Sequence, residues 1–163
     1  MMPFFQSADQ RGFSIVEVLV VLILIGIVSV IIIGRSNIGR TDLLAQTEVV
    51  KSHIRFAQSR AMNSDRVWGI RCDDPGQVYW LFVDGSSEVS NRRKLPGEES
   101  DTVDLGIYNL TLTPTTLSFD DRGRPCSGDD GATPLAGDFS LTLSAGGAET
   151  TTIVVTRNTG FVP

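Results

Sequence analysis

The stretch Gly12-Phe13-Ser14-Ile15-Val16-Glu17 decides how the rest of this 163-residue chain is read. It opens an apolar run from Phe13 to Ile33, interrupted only by Ser14, Glu17, Gly26 and Ser29. At ~1.5 Å per residue such a helix reaches roughly 31 Å, about the thickness of a bilayer's hydrocarbon core. A secretory signal peptide would carry an apolar region of only ~7–15 residues, ending at small residues around a cleavage site. Val30-Ile31-Ile32-Ile33 offers no such site. A carboxylate inside an apolar span costs roughly 2.5–3.5 kcal/mol on insertion scales, so Glu17 needs a partner or a task.

Arg11-Gly12-Phe13-Ser14-Ile15-Val16-Glu17 resembles the class III leader junction of type IV pilins and type II secretion pseudopilins. The resemblance implies processing by prepilin peptidase, a membrane aspartyl protease that cuts between Gly12 and Phe13 and then methylates the new amine of Phe13. Glu17 becomes the fifth residue of a mature chain of 151 residues, Phe13 to Pro163. Four segments follow: residues 1–12 as leader peptide, 13–33 as the membrane-spanning half of a long helix, 34–64 as its periplasmic half, and 65–163 as a β-rich globular domain.

Cleavage would leave a cationic amine one helical turn from Glu17. If such helices stack, the amine of one subunit can sit against Glu17 of a neighbour, and each charge finds its opposite in a low dielectric. Buried polar pairs of this kind also set axial register. Orientation is carried by the resemblance and not by the flanking charge, because Arg11 is offset by Asp9 while Arg35 and Arg40 follow the run. The resemblance places the leader in the cytoplasm and the C-terminal domain in the periplasm of a single-pass inner-membrane protein.

Gly34 to Gly39 is rich in helix-weakening residues and predicts a kink or soft stretch. From Thr41 the helical period resumes: Leu43, Thr47, Val50, Ile54, Ala57 and Ala61 fall on one stripe, and Asn63-Ser64-Asp65 ends it. Strands are expected at Val67–Cys72, Val78–Val83, Tyr108–Thr113 and Leu117–Phe119, with Phe139–Leu143 and Ile153–Val155 joined as a hairpin through Ala145-Gly146-Gly147-Ala148. Asp84-Gly85-Ser86-Ser87 is read as opening a long polar loop. A helix followed by antiparallel strands is an α+β order, the pilin-like arrangement of a long helix packed on an antiparallel sheet.

Three further segments resemble minor subunits of the GspH/FimT type: Phe56-Ala57-Gln58-Ser59-Arg60-Ala61 at the helix end, Leu117 to Pro125 with its Phe-Asp and Gly, and Thr156 to Gly160 as a last strand. DNA-binding members of that kind place arginines around a C-terminal Gly, whereas here Gly160 is followed by Phe161-Val162-Pro163. From Arg66 onward there are 8 Lys/Arg against 14 Asp/Glu, and the one basic run is Arg92-Arg93-Lys94. Phosphate binding takes clustered positive charge, so nucleic acid is disfavoured as a partner.

Cys72 and Cys126 are the two cysteines, and in an extracytoplasmic domain an even pair is expected to bridge. The single histidine, His53, falls on the charged helix with no nucleophile implied, and is read as a solvated or interfacial side chain. Asp120-Asp121 and Asp129-Asp130 supply oxygen ligands, but their spacing matches no calcium loop. No catalytic residue, metal site or cofactor is expected. The functional expectation is a structural minor pilin or pseudopilin, with prepilin peptidase, other minor and major subunits and inner-membrane lipid as partners. The alternative is a binding module displayed on a filament, for DNA or a surface ligand.

Overall fold

The structure is a computed structural model and describes residues 14–34, 38–146 and 149–163. Gly12 and Phe13, the leader, and residues 35–37 of the expected soft stretch lie outside the described residues. The chain divides into two units, Met1–Asn37 and Ile38–Pro163.

The first unit holds helix α1, Ile15–Gly34. Ser14 precedes it and accepts from the amide of Val16 at 3.3 Å, a short capping contact. Among the described residues no helix is long and apolar enough to cross a membrane. The described side chains of α1 run unbroken only from Ile15 to Ile27, short of the ~20 residues that a span takes. The membrane-spanning reading of 13–33 therefore draws its support from the sequence.

In the second unit, α2 spans Ile38–Ser64. Its stripe Leu43, Thr47, Val50, Ile54, Ala57 and Ala61 is buried, as the periodicity predicts. The Thr47 hydroxyl satisfies itself on the Leu43 carbonyl at 2.6 Å, so a polar residue can occupy the apolar face. Asp65 adopts a left-handed φ of 50° and stops the helix.

Ten strands follow: β1 Trp68–Cys72, β2 Val78–Val83, β3 Arg92–Arg93, β4 Thr102–Asp104, β5 Leu110–Leu112, β6 Thr115–Phe119, β7 Pro125–Ser127, β8 Thr133–Pro134, β9 Phe139–Ala145 and β10 Glu149–Val155. They form two antiparallel sheets where the sequence suggested one. The larger runs β3-β2-β1-β6-β7-β8 with β4 also on β2, and the smaller runs β10-β9-β5. Tyr108, expected to begin a strand, instead ends the 3-10 turn Gly106–Tyr108, which leads into β5 through left-handed Asn109. Thr156–Gly160, expected to be a last strand, is a turn beyond β10. Its Gly160 N–H returns to the Thr156 carbonyl at 2.8 Å.

Alternation divides the larger sheet into two faces. Trp68, Ile70 and Cys72 of β1 share one with Tyr79, Leu81 and Val83 of β2 and Leu117 and Phe119 of β6, and these join the α2 stripe in a single core. The opposite face carries Gly69, Arg71, Trp80, Phe82, Ser118 and Cys126. The Phe82 ring lies over Gly69 in the space a Cβ would fill, so glycine is required there. Ser87 and Asp129 help to cover this second face, joined by bonds of 3.2 Å from the Ser87 amide and hydroxyl to the carboxylate. The expected polar loop after β2 starts instead with a tight turn: Asp84 and Gly85 are both left-handed, at φ 64° and 62°, and Val83 bridges Ser86. Asp-Gly is the sequence signature of such a turn.

Candidate functional site

Glu17 sits in the first turn of α1, surrounded by exposed Ile15, Val16, Val18, Leu19, Val20 and Val21. Among the described residues no cation reaches it. A helix face of exposed apolar side chains around one carboxylate is a surface suited to lipid or other helices. Gly12 and Phe13, the expected processing pair, are not among the described residues.

The globular unit brings together the three segments singled out in its sequence. Gln58 on α2 donates from Nε2 to the Gly123 carbonyl at 2.8 Å, after β6, and to the Thr159 carbonyl at 2.5 Å, in the C-terminal turn. Gly160 follows, with a φ of 63°, and a Cβ there would lie 2.6 Å from the Gly123 carbonyl oxygen. One turn earlier on the helix, Arg55 donates to the Val162 carbonyl through Nε at 3.3 Å and Nη2 at 3.0 Å. These contacts fasten the C-terminal turn to the helix. Their chemistry is that of a clamp, with no nucleophile or acid–base pair in it.

His53 is not solvated. It is 2 % exposed, with Nδ1 2.8 Å from the Tyr79 hydroxyl and Nε2 3.2 Å from the Pro96 carbonyl. The geometry suits a neutral ring that donates from Nε2 to Pro96 and accepts from Tyr79. Burial pushes its pKa below the ordinary value, and the Pro96 carbonyl and the Glu98 carboxylate, 4.0 Å away, oppose this without cancelling it. Sequence reasoning missed the site because Tyr79 and Pro96 lie 26 and 43 residues away. The available signal was its place three residues after Val50, on the flank of the stripe.

The expected Cys72–Cys126 bridge is not formed, and both residues are buried free thiols. Cys72 pairs with Thr115 and Cys126 with Ser118, on opposite edges of β6. Partners three apart along one strand point to opposite faces, and two strand spacings plus three residues put the cysteines roughly 14 Å apart. A disulfide tolerates no more than about 7 Å between Cα atoms. Burial, aided by Asp73, pushes the Cys72 thiol up to about 12; burial also raises that of Cys126.

The acidic loops spend their oxygens on the protein. Asp120 accepts from the amides of Arg122 and Arg124 at 3.0 and 2.8 Å and from Arg124 Nε at 2.8 Å. Burial works against its charge, but these donors outweigh it and hold the carboxyl below its usual range. Asp130 caps the amide of Ala132 at 3.0 Å. Among the described residues no group of three or more His, Cys, Asp or Glu is placed to hold a metal ion.

A family model described as the prokaryotic N-terminal methylation motif matches residues 7–33. No curated protein matches the sequence. Among solved structures, the chain is similar to the type IV minor pilin FimU of Pseudomonas aeruginosa, with TM-score 0.52, 14 % identity and coverage of 76 % of this chain and 88 % of that one. It is similar also to the minor pseudopilin EpsH from the type II secretion system of Vibrio cholerae, with TM-score 0.52, 14 % identity and coverage of 75 % and 94 %. A second structure of that pseudopilin gives a TM-score of 0.53 at 12 % identity, covering 76 % and 92 %. The fold is thus that of a pilin. At its amino-terminal end the chain also carries the methylation motif, over residues 7–33.

Proposed function

We propose that the chain is a structural, non-catalytic minor subunit, built into a type IV pilus or a type II secretion pseudopilus after processing in the inner membrane. One observation supports the reading: the methylation motif spans residues 7–33, and within it Glu17 lies in the first turn of a helix with exposed apolar side chains around it. In this reading residues 1–12 are the leader, prepilin peptidase cleaves after Gly12, and Phe13 carries the methylated amine. The apolar run Phe13–Ile33 of the sequence, about 31 Å long as a helix, is what holds the subunit in the inner membrane in this reading, with the domain from residue 65 onward in the periplasm. On assembly the Phe13 amine of one subunit pairs with Glu17 of the next, which neutralises two charges that are costly in hydrocarbon. Other minor and major subunits are the partners.

The test is the amino terminus of the mature protein. A methylated Phe13 start supports the proposal, and recovery of intact Met1 from cells with an active prepilin peptidase would sink it.

A further inference from the structure

The basic run Arg92-Arg93-Lys94 plays no part in the proposed assembly chemistry, and Arg92 is held in an unusual way. Its guanidinium carbon lies 4.1 Å from the centroid of the Trp80 ring. Trp80 is itself anchored by a bond of 3.1 Å from its indole N–H to the Ser87 carbonyl. Among the described residues, Arg92 Nε is the buried side-chain polar atom with no hydrogen-bond partner. Its Nη amines are not sealed in the same way and have no acceptor among the described residues either.

Several arginines of this acidic domain find acceptors, while Arg60 is stacked on Trp68 at 4.9 Å. Arg66, Arg71 and Arg124 pair with Asp84, Asp73 and Asp120, and Arg55 and Arg157 reach main-chain carbonyls. No carboxylate of the domain comes within ion-pair distance of Arg92, and its neighbours Arg93 and Lys94 are exposed. The fork stands on β3, an edge strand of the larger sheet.

We propose that Arg92, braced on Trp80 and flanked by Arg93 and Lys94, is a receptor for a carboxylate carried by another filament subunit. A planar guanidinium fixed by stacking loses little freedom when it takes a carboxylate in two parallel bonds. Charge decides the class of ligand. A chain with 14 acidic against 8 basic residues from Arg66 onward repels a polyanion such as nucleic acid over a Debye length of ~8–10 Å, whereas one protein carboxylate meets the fork at contact range. That the carboxylate comes from a neighbouring subunit rests on the filament reading, but the receptor itself does not.

The experiment titrates the full chain in detergent micelles with a capped, glycine-flanked peptide carrying one glutamate and, separately, with a twelve-nucleotide oligothymidylate, following the Trp80 indole N–H by NMR. The glutamate peptide should bind saturably. Arg92→Lys, which keeps charge and stacking but loses the fork, should bind roughly tenfold more weakly, and Arg92→Gln should not bind. Arg93→Gln should change affinity by no more than about threefold. Equal melting midpoints of the Arg92 variants and the parent establish that loss of binding is not loss of fold. The receptor is refuted if the parent fails to bind the glutamate peptide, if Arg92→Lys binds as tightly, or if the oligonucleotide binds at least as well. A photo-cross-linker in place of Arg93, in cells, should reach a filament subunit in an Arg92-dependent manner. Binding of the glutamate peptide without that cross-link would remove the subunit as ligand while the receptor stands.

Discussion

Replacing Gly160 with alanine tests the clamp between the C-terminal turn and α2. Two costs add. A left-handed φ, here 63°, disfavours any residue with a Cβ by roughly 1–2 kcal/mol. The new Cβ would also lie 2.6 Å from the Gly123 carbonyl oxygen and 3.1 Å from Phe119 Cε1. The first is backbone and the second a ring packed in the core, so the turn must move, at about 1–3 kcal/mol. Together they predict a loss of about 2–5 kcal/mol, or roughly 6–20 °C in melting midpoint for a domain of this size. The assay is thermal unfolding of the full chain in micelles, followed by near-ultraviolet circular dichroism. Gln58→Ala removes two amide bonds and should cost about 1–3 kcal/mol by itself. Because the added Cβ also collides with the Gln58 amide, the double variant should lose less than the sum of the singles by about 0.5 kcal/mol or more. A Gly160→Ala midpoint within about 1 °C of the parent, or strictly additive losses, would refute the clamp.

The remaining expectations are separate. Glu17→Leu should leave processing at Phe13 intact while co-purification with partner subunits is lost; normal co-assembly would remove the charge-pairing account. For His53, burial holds the folded-state pKa below the ordinary 6.5, so the unfolded chain binds that proton more tightly. Its stabilising contribution is complete above pH 6.5 and is lost as pH falls through that value toward the depressed one. Between pH 7 and pH 5 the parent should therefore lose more stability than His53→Gln, by up to about 1.4 kcal/mol per pH unit; parallel pH curves would contradict this. Iodoacetamide, without reductant, should label neither cysteine in the folded protein and both after unfolding. A single disulfide-linked species would overturn the opposed-face placement.

How far the residues could be read depended on the range of the interactions that fix each element. The α2 stripe was legible because its period is local, and so were β1, β2 and the β9–β10 hairpin, where β-branched and aromatic runs end at Gly- or Asp-rich turns. Strands β4, β7 and β8 were not, since two or three residues carry no alternation and β8 contains Pro134. They are strands because β2, β6 and β7 offer them an edge. Sheet membership is equally non-local, which is why one sheet was expected and two are found. The cysteine expectation failed for the same reason: compartment and even number favour a bridge, but the register along β6 forbids it. Glu17 stood out because a carboxylate in an apolar run is costly wherever the chain folds. Arg92 did not, because only the fold reveals that the acids following it in sequence leave it unpaired.

The fastening of Val162 has a consequence for timing. Its carbonyl meets Arg55 across 107 residues of chain, and its side chain is 1 % exposed. A chain delivered from its amino terminus presents α2 early, while that helix lacks the segment that closes over it. The loop-closure entropy of so long a separation is repaid only when the last turn arrives. Until then the apolar stripe of α2 and the inner faces of the sheets are open to solvent, to lipid and to proteases. A domain delivered in this order therefore matures at the end of its delivery, and truncation within the segment 156–162 should be read by the cell as failure of the whole domain.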